Sequence, residues 1–484
     1  MNRQIKFLGL ALMVLFTALF VQLNYLQIFH AKSLNAHPAN TRAVVRDFSR
    51  PRGVIQTSDG AVLARSVPVE DEFERQREYP EGKLFGHVTG YFSFNYGTEG
   101  VERTYNDALS GRDQSETVTK FSDLLVKKER VGNVTLTLSK RLQEIAAEQL
   151  GERKGAVVAV DPKTGAVLAF ADFPSYDPNP LASHQPSVAK ADWDALNADP
   201  DKPLLPRTYR ERYFPGSSFK VVTGSIGLAS GQVTVTRPVY PQLSALPLPQ
   251  SGGQSLSNFG GSTCGGALPE ILRVSCNTAF AQMGMDLGAV RMSEGAGKFG
   301  FRQVPPIDLP FAAPSIFPDA SAFADDIPGL AKSAIGQQDV SATPLQMALV
   351  AAGVANGGAV MTPHVMSEIR DGEGQLLKRY EPTPWVQAVS PDVARTMRDL
   401  MVNVVERGTG TAARIPGIAV GGKTGTAQTG LDTNHVWFIS FAPAADPKIA
   451  VAVMLENLPL ASEATGGTLA APIAKAVMQA ALSG

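Results

Sequence analysis

The chain has 484 residues, a length suited to roughly three domains, or to two with one of them large. Hydrophobic residues make up 44% and charged residues 18%, the composition of a globular rather than a disordered protein. A net charge of -1 leaves no basic surplus to hold nucleic acid, and two cysteines exclude a four-cysteine metal site. The six histidines show no paired ligand spacing, so a zinc enzyme is not expected, and no cofactor is expected for this chain.

Arg3 and Lys6 precede residues 7–29, which carry no charge. About 23 residues at a helical rise of about 1.5 Å cross the roughly 30 Å hydrocarbon core of a bilayer. Positive charge ahead of the span predicts a cytoplasmic N-terminus, with the remainder outside. A cleaved signal peptide would have an apolar core of about 7–15 residues and a small-x-small cleavage site. This stretch is longer and ends on His30-Ala31-Lys32, so a retained anchor is expected. Gln22, Asn24 and Gln27 in its outer half either bind another membrane helix or meet the headgroups. An extracytoplasmic location permits disulfides. Cys264 and Cys276 are then either bonded or two buried thiols, since sequence does not give their separation.

Residues 31–150 read as a front domain rich in charge and turn residues. Asp59-Gly60 marks a hairpin turn. Val134-Thr135-Leu136-Thr137-Leu138 alternates as a strand, and Ser139 is placed to cap a helix to about Leu150. That helix has Leu142, Ile145, Ala146 and Leu150 on one face. The boundaries expected are 1–30, 31–150 and 151–484. In the last domain, residues 157–160 and 166–170 are apolar runs joined by Asp161-Pro162-Lys163-Thr164-Gly165. They read as two strands buried on both faces. Residues 436–441 and 449–455 mirror them at the other end, before a closing helix over 470–482. Strands at both ends and a helix-rich middle predict an α+β domain whose sheet is completed by both termini.

Three motifs follow in order: Ser217-Ser218-Phe219-Lys220, Ser275-Cys276-Asn277 and Lys423-Thr424-Gly425. Each is short, and the chain holds decoys for all three. Lys163-Thr164-Gly165 lies in a turn, where its residues are ordinary. Ser33-Leu34-Asn35 abuts the membrane, and Ser93-Phe94-Asn95 lies in the front domain. Ser187-Val188-Ala189-Lys190 follows Pro186, where Ser187 would cap a helix and Lys190 would be solvated. Ser217 instead follows the sharp turn Tyr213-Phe214-Pro215-Gly216 and opens an apolar helix suited to burial. A nucleophile there is fixed in place and sits in a positive dipole.

Residues i and i+3 share a helical face, which puts Lys220 Nζ within reach of Ser217 Oγ. Burial and a second cation, Lys423, would depress the Lys220 pKa so that the neutral amine serves as base. Ser275 would relay a proton to the leaving amine, and Asn277 would hold a substrate amide. Lys423-Thr424-Gly425-Thr426 is expected on a sheet edge. There Gly422 and Gly425 would admit substrate backbone, and the Thr424 and Thr426 hydroxyls would bind a carboxylate. The N–H groups of Ser217 and Thr426 would form the oxyanion hole.

On these motifs the chain resembles the class B penicillin-binding proteins, membrane-anchored peptidoglycan D,D-transpeptidases, and in detail their actinobacterial PbpA-like branch. Further likeness lies in Arg52-Gly53-x-Ile55 and Gly100-Val101-Glu102 at the front. Ala334-Ile335-Gly336-Gln337-Gln338, Thr343-Pro344-Leu345-Gln346 and Ala355-Asn356-Gly357-Gly358 extend it between the second and third motifs. The resemblance implies an antiparallel sheet between helices, above a pedestal domain of the dimerisation type. It implies a Ser217 acyl-enzyme made from a D-alanyl-D-alanine donor stem peptide and released to the amine of an acceptor stem, with β-lactams trapped as slow esters. It also implies a possible multi-pass glycosyltransferase partner in the membrane. The front segment is too short for a glycosyltransferase domain of its own. A β-lactamase, a D,D-carboxypeptidase, a β-lactam sensor and a silent scaffold are the rival readings. Cys276 is an unusual middle residue for the second motif.

Overall fold

The computed structural model describes residues 2–26, 48–112, 131–430, 432–459 and 465–483. Gln27, the end of the apolar stretch, the 30/31 boundary and Ser33-Leu34-Asn35 lie outside the described residues. The chain divides into two compact units, Met1–Pro51 with Val67–Gln76 and Arg52–Ser66 with Arg77–Gly484. The first contains helix α1 (Asn2–Tyr25), long and apolar enough over Arg3–Tyr25 to cross a membrane. In the same unit Phe48 packs edge-on against Phe73.

The second unit opens with β1 (Ile55–Gln56), which turns through Asp59-Gly60 into β2 (Val62–Pro68), whose residues 62–66 fall in this unit. β3 (Asn133–Leu136) pairs parallel with β1 and buries every second residue, Val134 and Leu136. Helix α2 (Lys140–Leu150) starts where Ser139 Oγ accepts the Leu142 N–H, as its sequence predicts. The same unit holds a buried ionic knot. Glu102, with no exposed surface, takes Arg52 Nε and Arg77 Nε at 2.6 Å each, one on either carboxylate oxygen. Burial alone would raise the Glu102 pKa, but the two guanidinium charges reverse it and hold the carboxyl below its usual range.

β4 (Gly155–Val160) and β5 (Val167–Phe173) follow as an antiparallel pair. Between them and the chain's end lie α3 (Pro186–Ala198), α4 (Lys220–Ala229), the hairpin of β6 (Ala245–Pro247) and β7 (Ser255–Ser257), α5 (Asn277–Lys298), α6 (Ile327–Ser333) and α7 (Pro344–Ala355). β8 (Met366–Arg370) and β9 (Leu376–Arg379) form a hairpin that returns to the front sheet, β8 pairing antiparallel with β3. Nothing in the local pattern of residues 366–379 announces this pairing, which lies more than 200 residues away in sequence. The chain then forms α8 (Pro391–Arg407), β10 (Gly421–Gln428), β11 (Thr433–Ala442), β12 (Ile449–Pro459) and α9 (Ala471–Leu482).

The central sheet has the order β10-β11-β12-β4-β5, antiparallel throughout, and both ends of the domain supply its strands. Its apolar runs look continuous because each face meets helices. On β11, Trp437, Ile439 and Phe441 join the core shared with α4, α5 and α7, while Val436, Phe438 and Ala442 join the one shared with α2 and α9. β12 splits the same way, Ala450, Ala452 and Met454 against Ile449, Val451, Val453 and Leu455. The α+β expectation therefore holds, as a sheet between two helical layers. β10 at its edge is left free to carry a site.

Removing Glu102 leaves two buried guanidinium groups facing each other. Glu102→Ala is expected to cost about 3–5 kcal/mol of stability, read from the urea midpoint of the full chain in detergent. An unchanged midpoint would show the knot to be unimportant for stability.

Candidate active site

The edge strand β10 crosses the turn that carries Ser217 at van der Waals range. Residues 216–219 form one 3-10 turn that runs into α4, so Ser217 precedes the α-helix proper. Gly216 has φ +52°, and a Cβ on it would lie 2.6 Å from Thr426 O. A Cβ on Gly425 would lie 2.7 Å from Pro215 O and 2.9 Å from Trp437 Cβ. Both positions therefore demand glycine. The missing side chains of Gly425 and Gly422 also make room for the protein itself, Gly422 for the Phe438 ring. Trp437 Nε1 donates to Phe214 O at 2.9 Å and ties the turn to β11.

Lys220 and Lys423 are both fully buried. Lys220 Nζ donates to Ser275 O at 2.7 Å and Asn277 Oδ1 at 2.6 Å, and lies 3.4 Å from Ser275 Oγ. Lys423 Nζ reaches the same Ser275 Oγ at 2.8 Å and Thr424 O at 3.0 Å. Burial, and then the charge of Lys423, drive the Lys220 pKa well below that of an ordinary lysine. Burial brings Lys423 down to about 7. Among the described residues no hydrogen bond joins Lys220 Nζ to Ser217 Oγ. The acceptors of the second motif engage the amine instead.

Ser275 holds its hydroxyl between the two amines with φ +61°, a left-handed conformation that a serine adopts only under constraint from its surroundings. Cys264 and Cys276 are bonded, with Cα atoms 5.8 Å apart, which resolves the open alternative. Asn277 Nδ2 donates to Ser257 O at 3.0 Å, so its amide is already engaged on both sides. The Thr424 and Thr409 hydroxyls lie 2.7 Å apart. Ser217, Ser275, Asn277, Thr424 and Thr426 line one cleft of about 340 Å³. Its other walls include Asn258, Phe259, Thr409 and Thr465-Gly466-Gly467, none of which the motifs indicate. Their signal in sequence is only turn composition, Gly260-Gly261 after Phe259 and the Gly466-Gly467 pair.

The decoys are elsewhere and otherwise occupied. Gln185, not Ser187, is the N-cap residue of α3, and Lys190 pairs with Asp194 at 2.6 Å on the surface. Ser93 Oγ donates to Leu181 O. Lys163 pairs with Asp446, and Thr164 Oγ1 donates to Asp161 Oδ2 at 2.9 Å. Among the described residues no group of three or more His, Cys, Asp or Glu could hold a metal ion.

The family model described as the penicillin binding protein transpeptidase domain matches residues 155–479. The one described as the penicillin binding protein A dimerisation domain matches 52–134. The chain is 39% identical to the peptidoglycan D,D-transpeptidase PbpA of Mycolicibacterium smegmatis, over 100% of this chain and 99% of that protein. It is 30% identical to the peptidoglycan D,D-transpeptidase MrdA of Escherichia coli, over 83% of this chain and 72% of that protein. The solved ceftriaxone acyl-enzyme of penicillin-binding protein A from Mycobacterium tuberculosis superposes with a TM-score of 0.84 at 38% identity, covering 90% of this chain and all of that one. The penicillin G acyl-enzyme of the same protein gives 0.81.

The burial of Lys423 has a stability consequence of definite sign. Between about 7 and its ordinary value of 10.5 the unfolded chain binds more protons than the folded one, so stability rises with pH across that window. Lys423→Met is expected to flatten this rise and to raise the urea midpoint at pH 7. A midpoint that climbs as steeply in the variant would show that Lys423 is not the source.

Proposed function

This chain belongs to the class B penicillin-binding proteins, and from that premise we propose how its own residues perform the reaction. The protein is a peptidoglycan D,D-transpeptidase that β-lactams acylate, with its transpeptidase domain over residues 155–479. The observation that carries the residue roles is the pair of buried lysine amines meeting at Ser275 Oγ, 3.4 Å and 2.8 Å away, beside Ser217 in one cleft.

Ser217 Oγ attacks the carbonyl carbon of the penultimate D-alanine while neutral Lys220 takes its proton. The N–H groups of Ser217 and Thr426 receive the developing oxyanion; the contact of Gly216 with Thr426 O supports this pairing by bringing the two backbones together. The proton passes from Lys220 through Ser275 to the amide nitrogen of the leaving D-alanine, the C–N bond breaks, and an ester remains on Ser217. Lys423 holds the Ser275 hydroxyl by donating to it, which leaves the Ser275 proton free for the leaving nitrogen. Thr424 and Thr426 bind the terminal carboxylate, and Asn277 orients the donor backbone. An acceptor stem's amine then attacks the ester, the proton path runs in reverse, and the cross-link forms. In a β-lactam the cleaved amide is inside a ring, so the leaving nitrogen stays tethered to the acyl group and obstructs the acceptor.

We further propose three parts: residues 1–30 as cytoplasmic tip and anchor, 31–150 as pedestal and 151–484 as transpeptidase domain outside the membrane. The length of α1 supports the anchor, and the disulfide suits an oxidising compartment. Gln22 and Asn24 on α1 support a membrane partner of the multi-pass glycosyltransferase kind.

A fluorescent penicillin on the detergent-solubilised protein tests the roles. Wild type and Ser187→Ala should form a lasting adduct, and Ser217→Ala should label slower by roughly a thousandfold or more. The wild-type acylation rate should fall as pH drops through the depressed pKa of Lys220, because only the neutral amine accepts the Ser217 proton. An adduct that survives in Ser217→Ala would overturn the assignment.

A further inference from the structure

Helix α5 begins with a deficiency. Its first N–H groups have no intrahelical acceptor, and the residue in the capping position is Cys276, whose sulfur is committed to the disulfide and makes no side-chain cap. The missing acceptor comes from elsewhere in the chain. Asn258 Oδ1 accepts the N–H of Asn277 at 2.9 Å and of Thr278 at 3.0 Å. Its Nδ2 donates to Leu243 O at 2.7 Å and Ser262 O at 2.9 Å. Two donors and two acceptor lone pairs are the whole capacity of a carboxamide, and all four are used on a residue 6% exposed. Aspartate would face two carbonyls with acceptors, and leucine would offer nothing to any of the four partners.

The residue before it completes a clamp. Ser257 O accepts from Asn277 Nδ2 at 3.0 Å, so the neighbours Ser257 and Asn258 hold the side chain and the backbone of Asn277 respectively. With Nδ2 held there, Oδ1 is turned toward Lys220 Nζ, 2.6 Å away. The clamp is itself anchored, since the Asn258 N–H donates to Ser244 O at 3.1 Å on the opposite side of the β6–β7 excursion.

We propose that Asn258 is a positioning residue for the proton-transfer centre, acting through Asn277 on the amine of Lys220. The inference rests on the reading of Lys220 as the base for Ser217. It assigns to the loop after β7 the task of setting that base, where the three motifs by themselves leave the orientation of Asn277 unspecified. Around Lys220, β10 presents the titratable Lys423, while Ser275, Asn277 and the Phe280 ring, 5.6 Å from Nζ, are neutral. A change in the orientation of Asn277 therefore registers on Lys220 as the loss of one acceptor.

That loss has a sign. Asn277 Oδ1 favours the protonated amine, so releasing it lowers the pKa of Lys220. Asn258→Ala is expected to slow acylation by penicillin G by roughly 10- to 100-fold in the full-length protein. At the same time the acid limb of its pH profile should move to lower pH, which simple loosening of the fold would not produce. Asn258→Asp keeps the shape and adds a negative charge, so its limb should move to higher pH. In an Asn277→Ala background, Asn258→Ala should change the rate by less than about twofold, because the route through Asn277 is already cut. Thermal melting establishes that each variant is folded, and Asn258→Asp decides if Asn258→Ala is not.

Wild-type rates and unmoved limbs in folded variants would overturn the proposal, as would losses that add fully to those of Asn277→Ala. Failure of the underlying reading looks different: Ser217→Ala would still be acylated, whatever the Asn258 variants do.

Discussion

Everything at this site depends on keeping two lysine amines out of water within hydrogen-bond range of one serine hydroxyl. Lys220 and Lys423 are both fully buried, and neither has a carboxylate partner among the described residues. An unpaired buried ammonium is costly, so each amine is biased toward its neutral form. The same burial that lowers the Lys220 pKa therefore destabilises the fold, a cost the surrounding core must offset. Ser275 is held at positive φ between the amines, a second strained element at the same place.

The scaffold meets this cost by crossing rigid elements at backbone contact. β10 is paired along its length to β11, from Gly421 with Phe441 to Gln428 with Asn434. The serine turn lies against β10 because Gly216 and Gly425 have no Cβ to separate them. The second motif arrives on α5 from the other side, held by a disulfide at Cys276 and by Asn258 at Asn277 and Thr278. Lys220, Ser275 and Lys423 thus meet from three elements, each fixed by a different kind of bond: helix packing, covalent linkage with capping, and a strand ladder.

The front part of the second unit follows another rule. Beside its buried apolar residues it holds the pairing of Glu102 with Arg52 and Arg77, an ionic knot. Tyr79 OH adds a contact to Glu102 Oε1 at 3.3 Å and accepts the Phe92 N–H at 2.7 Å, so the knot also organises nearby backbone. The β8–β9 hairpin extends this sheet, and Asp308 receives the Val365 and Met366 N–H groups and the Tyr105 hydroxyl. The front sheet is thereby built from both early and late parts of the chain.

The sequence by itself determined what depends on local order. The Ser139 cap, the Asp59-Gly60 turn, the doubly buried strands near 157 and 451 and the apolar α1 follow from neighbours a few residues apart. So does the contrast between the surroundings of Ser217 and Ser187, a turn followed by a buried small-residue helix against an exposed helix. Only the tertiary structure decided what depends on contacts between distant segments. It paired Cys264 with Cys276, returned residues 366–379 to the front sheet, and gave the Lys220 amine its acceptors in Ser275 and Asn277. It also gave α5 its acceptor in Asn258, a residue no motif marks. The reason is physical: caps, turns and periodicity are written within one or two turns of chain. The direction of a buried amine, by contrast, is set by whichever acceptors the fold brings to it, and here those lie more than 50 residues away.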